Sequence, residues 1–259
     1  MTRESPKPLA GAASSAADTT FSTEQYESSY PDGGEKHWWP LTRNRIVRSV
    51  ILDGKGAGSA ILEVGCGRGF VVESLRSAGL DCSGVEAAEV DPVAGAAAFV
   101  RSSVHADQLP EAERRRYDTI LLLDVIEHLP DTVGFLRGLV DAFPALSRVI
   151  VTVPARPELW SNYDAYFGHF RRYTRPMLVD LANELGWTVR RMSYFFHLLY
   201  LPAWLMAHVK GSRATRLTPP GPAMRAVHQL ISLGMIADHY LLPGRLVGTS
   251  LIASFRVRS

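Results

Sequence analysis

Ala60-Ile61-Leu62-Glu63-Val64-Gly65-Cys66-Gly67-Arg68-Gly69 is the stretch that decides the fold of this chain. Its first five residues, mostly apolar, read as a short buried strand, and three glycines at alternate positions follow them. From Phe70 to Ala78 the pattern is helical, ending at Gly79. Strand, glycine turn and helix in that order form the ligand-facing turn of a parallel α/β sheet. There the backbone must lie close to a ligand and side chains are in the way. The spacing is G-x-G-x-G. The dinucleotide fingerprint needs glycine at position 70, where Phe70 stands. Glu86 closes the next strand pattern, Asp81 to Glu86, at about the 20-residue offset at which a carboxylate can accept hydrogen bonds from both hydroxyls of a ribose.

Outward from this turn the alternation continues. We expect a short helix over Pro92 to Phe99 and a third strand over Val100 to His105. Asp118 to Leu123 reads as the clearest strand, followed by a helix from Asp131 to Phe143, and Arg148 to Val153 as the fifth strand. A polar and aromatic loop runs from Ala155 to Tyr173, and a helix from Arg175 to Leu185 ends at Gly186. Trp187 to Phe195 and Thr249 to Val257 are the last two strands. Repeated strand–helix alternation implies a mostly parallel sheet with helices on both faces. On the N-terminal side, His37-Trp38-Trp39 leads through Arg43 into an apolar-periodic helix containing Val47, Val50 and Ile51, broken at Lys55 to Gly58. Residues 1–23, rich in Ala, Ser, Pro and Thr, are expected to be a disordered leader.

Composition narrows the function. A formal charge of +2 lacks the clustered basic face of a nucleic-acid binder. Cys66 and Cys82 make neither a disulfide framework nor a CxxC metal site, which suits a reducing cytoplasm, and we expect no metal. The most apolar stretch, Tyr194 to Val209, is interrupted by His197, Pro202 and His208, so no membrane span is expected. Together with Met224 to Leu242 it forms an apolar insertion. That insertion reads as a helical pair on the sheet, as a lid over an apolar acceptor beside His169, or as a peripheral membrane contact.

The turn Glu63 to Gly69, the segment Ala106-Asp107-Gln108-Leu109-Pro110, and Tyr117-Asp118 through Asp124-Val125-Ile126-Glu127-His128-Leu129 occur in this order. With them the chain resembles class I S-adenosylmethionine-dependent methyltransferases, in the small-molecule, UbiE/UbiG-like branch, over about residues 60 to 190. The His37-Trp38-Trp39 segment and Gly168-His169-Phe170-Arg171-Arg172-Tyr173-Thr174 are similar to one bacterial subgroup.

The resemblance implies a Rossmann-like seven-stranded, mostly parallel sheet over residues 59–259. An N-terminal helical cap would occupy 24–58 and a helical insertion 196–245, before the last strand. It implies S-adenosyl-L-methionine as cofactor. Gly65, Gly67 and Gly69 would hold its methionine part with Glu63 beneath, Glu86 its ribose, and Asp107, Gln108 and Leu109 its adenine. Asp124 and Val125 would line the site, and Arg43 or His37 would reach the cofactor's carboxylate, unless that segment only caps the sheet. His169 and His128 are the candidate bases, and Trp38, Tyr163, Tyr166 and Tyr173 the acceptor-facing aromatics.

The rivals differ by motif. A nicotinamide oxidoreductase lacks its fingerprint here, and a nucleic-acid methyltransferase favours Asn/Asp-Pro-Pro-Tyr after the fourth strand, where this chain has Asp124-Val125-Ile126-Glu127. A methyltransferase of lipids or prenyl quinones at a membrane surface and a non-catalytic binding module stay open.

Overall fold

In a computed structural model of the chain, residues 21–53, 59–209 and 212–257 are described. The strands are β1 (Ile61–Val64), β2 (Cys82–Val85), β3 (Val100–Arg101), β4 (Thr119–Leu123), β5 (Arg148–Pro154), β6 (Thr188–Phe195) and β7 (Ser250–Arg256). They form one sheet in the order β3-β2-β1-β4-β5-β7-β6. The first five run parallel, and β7 is antiparallel to both β5 and β6. The order reverses between β1 and β4, which opens a crevice beyond their carboxyl ends, where ligands of doubly wound sheets bind.

The helices are α1 (Thr23–Ser29), α2 (Trp38–Leu52), α3 (Phe70–Ser77), α4 (Glu111–Arg114), α5 (Thr132–Ala142), α6 (Asn162–Tyr166), α7 (Arg175–Glu184), α8 (Tyr200–His208) and α9 (Arg225–Leu241). The strands' period of two divides the core. Ile120 and Leu122 of β4 face Leu136 of α5 and Leu178 of α7. Leu121 and Leu123 face the other way, with Ile46, Val47, Val50 and Ile51 of α2 and Val71 and Leu75 of α3. The apolar stripe seen before the first strand is thus the face with which α2 covers the sheet.

Three expectations change, and one lies mostly beyond the described residues. Residues 1–20 of the expected leader, like the break at 54–58, lie outside the described residues. The part that is described is helical from Thr23. Ser22 caps α1 by accepting from the Gln25 N–H at 3.3 Å while the Gln25 side chain accepts from the Ser22 N–H at 2.6 Å. Pro92 to Phe99 is a chain of turns rather than a helix: Ala96 and Phe99 each hydrogen-bond three residues back, around Gly95. The third strand stops at Arg101, because Ser103 adopts φ 58° and leaves the extended region. The loop from Ala155 to Tyr173 carries helix α6, capped by Ser161.

The insertion is helical, but its two helices pack on different partners rather than together on the sheet. Its α9 lies on α2, joined by the Thr42 hydroxyl to Ser232 at 3.1 Å and by the Trp38 N–H to His228 Nδ1 at 3.2 Å. Helix α8 rests on the turn Pro157–Leu159 and buries none of its own residues. Leu198, Leu201, Leu205 and Val209, and then Leu230, Leu233 and Leu241, are exposed. No helix among the described residues is long and apolar enough to cross a membrane.

Candidate active site

Two walls meet at the switch point. The first is the glycine turn with the end of β2. The Glu86 carboxylate, buried, accepts from the Gly67 N–H at 2.8 Å, the Ala88 N–H at 3.1 Å and the Tyr26 hydroxyl at 2.7 Å. Gly67 sits at φ +52°, and a Cβ there would run into the Tyr30 ring. Gly65, at φ +74°, would put a Cβ 2.9 Å from Val125. Both positions therefore exclude side chains by crowding as well as by conformation.

Beneath the turn Glu63 is 3% exposed, and its Oε2 has no partner among the described residues. Burial pushes its pKa up to about 8 against the pull of Arg43. Arg43 itself donates to Asp124 Oδ2 at 2.8 Å. Asp124 holds φ 58°, a left-handed conformation for a non-glycine residue at the tip of β4. Such strain persists where surrounding bonds fix the chain, as the ion pair does here.

The second wall comes from the segments after β4 and β5. Asp164 is fully buried. It accepts from Arg172 Nε at 2.7 Å and Nη2 at 2.9 Å, from the Ser161 N–H at 2.9 Å, and pairs with His169 Nδ1 at 2.9 Å. Burial alone would raise its pKa, but the hydrogen bonds from His169 and Arg172 outweigh it and hold it at about 2. His128 meets His169 edge to face, ring centres 4.7 Å apart. Burial, then the neighbouring His169, lowers the His128 pKa to about 4. Burial and Asp124 raise that of Glu127. The Glu127 Oε2 and His128 Nδ1 atoms are buried without a hydrogen-bond partner among the described residues.

A roof of aromatic side chains closes over both walls. Phe21 packs on His128 and Phe167, with ring centres 5.0 and 5.5 Å away, and Tyr26 stacks on Tyr30. The loop joining α8 to α9 completes it. Arg213 lies over the Tyr163 ring at 4.2 Å, and the Leu217 N–H donates to the Ser28 carbonyl at 2.9 Å. The covering part of the insertion is this loop, whereas its apolar helices turn much of their surface outward.

Of the residues singled out in the sequence, the structure gathers Glu63, Gly65, Gly67, Glu86, Asp124, Val125 and Arg43 at the first wall. His128, His169 and Tyr163 gather at the second. Gly69 caps α3 beside Ala96. Asp107 is exposed on the turn after β3, the Gln108 side chain caps that turn by accepting from the His105 N–H at 3.0 Å, and Leu109 is buried in the core. Tyr166 faces α1, its hydroxyl 3.4 Å from that of Ser28.

Three expectations do not hold geometrically. His37 caps α2, accepting from the Trp39 N–H at 3.2 Å, and contacts His228, so it is bound up with the helices and not with the glycine turn. Trp38 packs on Phe196. The Tyr173 hydroxyl donates to the Ile126 carbonyl at 3.1 Å within the core, so this residue braces the turn after β4.

Phe21, Tyr26, Tyr30, Glu127 and Arg172 were not singled out from the sequence. The Ser22–Gln25 capping box, with tyrosines four residues apart after it, was the available signal for the roof.

A sheet in this order, with a glycine turn after its first strand and a carboxylate closing the second, is the class I methyltransferase fold. Residues 42–191, more than half of the chain, match the family described as Methyltransferase domain, and the chain belongs to that family.

Among curated proteins it is similar to the ubiquinone biosynthesis O-methyltransferase of Acinetobacter baumannii, 26% identical over 119 residues, covering 39% of this chain and 50% of that protein. It is also similar to the mitochondrial ubiquinone biosynthesis O-methyltransferase of Schizosaccharomyces pombe, 28% identical over 140 residues, covering 48% and 50%. The chain thus spans about half the length of these relatives. Among solved structures, the 1,6-didemethyltoxoflavin-N1-methyltransferase of Burkholderia thailandensis aligns with TM-score 0.53 at 18% identity, covering 90% of this chain and 85% of that one. The plantazolicin methyltransferase BpumL aligns with TM-score 0.50 at 14% identity, covering 91% and 90%. At these identities the likeness is one of fold.

Proposed function

We propose that this chain transfers a methyl group from S-adenosyl-L-methionine to a small-molecule acceptor, acting in the cytoplasm. In this reading a cap (24–58) sits on a catalytic domain (59–259) with its insertion (196–245). The observation that carries the proposal is the pairing of Glu86 with the Gly67 turn. A buried carboxylate accepts from the turn's backbone and from Tyr26, and the Tyr30 ring lies on Gly67, so a ribose and an amino-acid moiety would take the places these two tyrosines hold. The unpartnered Glu63 oxygen under the same turn also fits a ligand rather than a closed core. Glu86 would take the ribose hydroxyls, Gly65, Gly67 and Gly69 the methionine part, exposed Asp107 and its turn the adenine, and Asp124, held by Arg43, the mouth of the transfer pocket.

When bound, the cofactor supplies a methyl group already electrophilic on its sulfonium. The chain's work is then to hold the acceptor atom in line at about 3 Å and to exclude water. The roof of Phe21, Tyr26, Tyr30 and Arg213 is suited to that exclusion. For a hydroxyl or ammonium acceptor a proton must also leave. The His128–His169 side suits this, since Asp164 engages His169 by Nδ1, so that Nε2 would be its atom for proton transfer. Incubation of the purified chain with labelled cofactor and a panel of phenols, amines and prenylated quinone precursors, read by mass spectrometry, should yield a methylated product. Absence of any product, and of slow cofactor turnover, would count against transfer.

One observation favours an apolar, lipid-like acceptor met at a membrane surface. Leu201 is 61% exposed, Val209 72% and Leu241 80%. The insertion also holds Lys210, Arg213, Arg216, Arg225 and Arg245 against Asp238 alone. Leucines beside basic residues suit an anionic bilayer. Vesicles containing anionic lipid should carry the wild-type chain upward in flotation and leave Leu201→Glu/Leu205→Glu behind. Equal behaviour of the two would remove this reading.

A further inference from the structure

The sequence led to no expectation of a metal, yet the second wall assembles a set of metal ligands from two distant segments. Glu127, His128 and His169 each offer one donor atom, and the three atoms lie within 4.8 Å of one another. Around a single ion such donors stand roughly 3–4 Å apart, so modest side-chain closure would bring them to bonding distance. We propose that Glu127, His128 and His169 form a three-ligand site for a divalent transition-metal cation, with zinc as the type ligand.

Each donor is prepared for that use. Glu127 is 1% exposed and His128 7%, and the buried atoms Glu127 Oε2 and His128 Nδ1 have no hydrogen-bond partner among the described residues. Polar atoms so deeply buried and unpaired are rare unless something else meets them. Both histidines are oriented from behind. His128 has its hydrogen bond with the backbone of Phe167, and His169 is held through Nδ1 by Asp164, itself clamped by both ends of the Arg172 guanidinium. A ligating histidine ordinarily gives its second ring nitrogen to a carbonyl or carboxylate in this way.

The charges agree. Asp124 is paired with Arg43 and Asp164 with Arg172, whereas Glu127 has no ion-pair partner among the described residues. Two imidazoles and one carboxylate select zinc, cobalt or iron over magnesium and calcium, which take oxygen ligands. Three protein ligands leave coordination positions open, as in catalytic sites. Those positions would take an oxygen of the acceptor, orient it, and favour its binding as an oxyanion at neutral pH, its proton leaving to bulk solvent as the acceptor enters. That last role rests on the methyl-transfer reading, whereas the cation site does not.

The test separates the two. The full chain, stripped with a chelator, is titrated with Co2+ and followed by visible absorption, while binding of S-adenosylhomocysteine is measured on the same preparation. One equivalent of cobalt should bind with the intense bands of a low-coordinate site. Glu127→Gln and His169→Gln should each weaken binding by about 100-fold and keep binding of S-adenosylhomocysteine, which shows that they fold. Cobalt binding only at background level, or binding unchanged in both variants, would overturn the site and leave the Asp164–His169 pair as a metal-free base. Cobalt binding without any binding of S-adenosylhomocysteine would keep the site and sink the transferase reading instead.

Discussion

Glu63 and Asp164 stand near the carboxyl ends of the same sheet, 3% and 0% exposed, and they are held in opposite ways. Asp164 has five donors around it, from Arg172, His169 and Ser161. Glu63 has a backbone hydrogen bond from Val72 and one oxygen with no partner among the described residues. Between these two, equal burial with unequal satisfaction separates a framework role from a site role, whereas Glu86, also satisfied, is tied to the site by its bond from the Gly67 turn. Asp164 locks the loop after β5 and aims a histidine. Glu63 lies under a turn shaped for a ligand.

If Asp164 is framework, removing its partner should cost most. Arg172→Met leaves a carboxylate buried without its clamp, and breaking a buried pair costs about 3–5 kcal/mol. Denaturant unfolding should show that loss. A midpoint close to wild type would mean that Asp164 is no part of the framework, and the contrast with Glu63 would collapse.

The next change acts mainly on binding, with a loss of stability of about 1–3 kcal/mol from the strained position. Gly67→Val pushes a side chain into the Tyr30 ring at a left-handed position. We expect S-adenosylhomocysteine binding to weaken by about 3 kcal/mol, roughly 100-fold, with the circular dichroism spectrum retained. Normal binding would put the ligand elsewhere.

Glu63 sharpens the comparison through pH. Its folded pKa, about 8, lies above its ordinary value of 4.5. Stability tied to this group is therefore fully present below about pH 4.5 and is lost as pH rises toward 8. Glu63→Gln should abolish that loss and stabilise the free protein at pH 8 by about 2–3 kcal/mol, after allowance for relaxation of the site. Asp164 runs the other way. Its contribution is present above pH 3.8 and disappears as pH falls toward 2. Parallel stability profiles for wild type and Glu63→Gln would break the contrast.

The two walls also differ in how far the sequence reveals them. The first was legible because its requirements are local. Gly65 and Gly67 must lack side chains, Glu86 must end the next strand, and each demand leaves a residue type at a fixed offset. The second is a product of folding. Glu127 and His128 meet Asp164, His169 and Arg172 only once β4 and β5 pair, and no spacing along the chain encodes that encounter. His37 and Tyr173 misled for the same reason. A polar aromatic residue near a predicted mouth looks alike from sequence whether its ring nitrogen caps α2 or its hydroxyl braces Ile126. The strands were readable from period and apolar runs, while the turns at Pro92 to Phe99 depend on Gly95 and on Arg68, whose carbonyl accepts from Val93. The insertion's greasy helices were visible, but the direction they face was not.

The central claim is that the Gly67 turn and Glu86 hold the cofactor, and calorimetry with S-adenosylhomocysteine tests it most directly. The wild-type chain should bind one equivalent saturably, and Glu86→Ala should bind about 30-fold more weakly, a loss of about 2 kcal/mol from charged hydrogen bonds to the ribose. No binding heat from the folded wild-type chain, or an unchanged affinity in Glu86→Ala, would contradict the account.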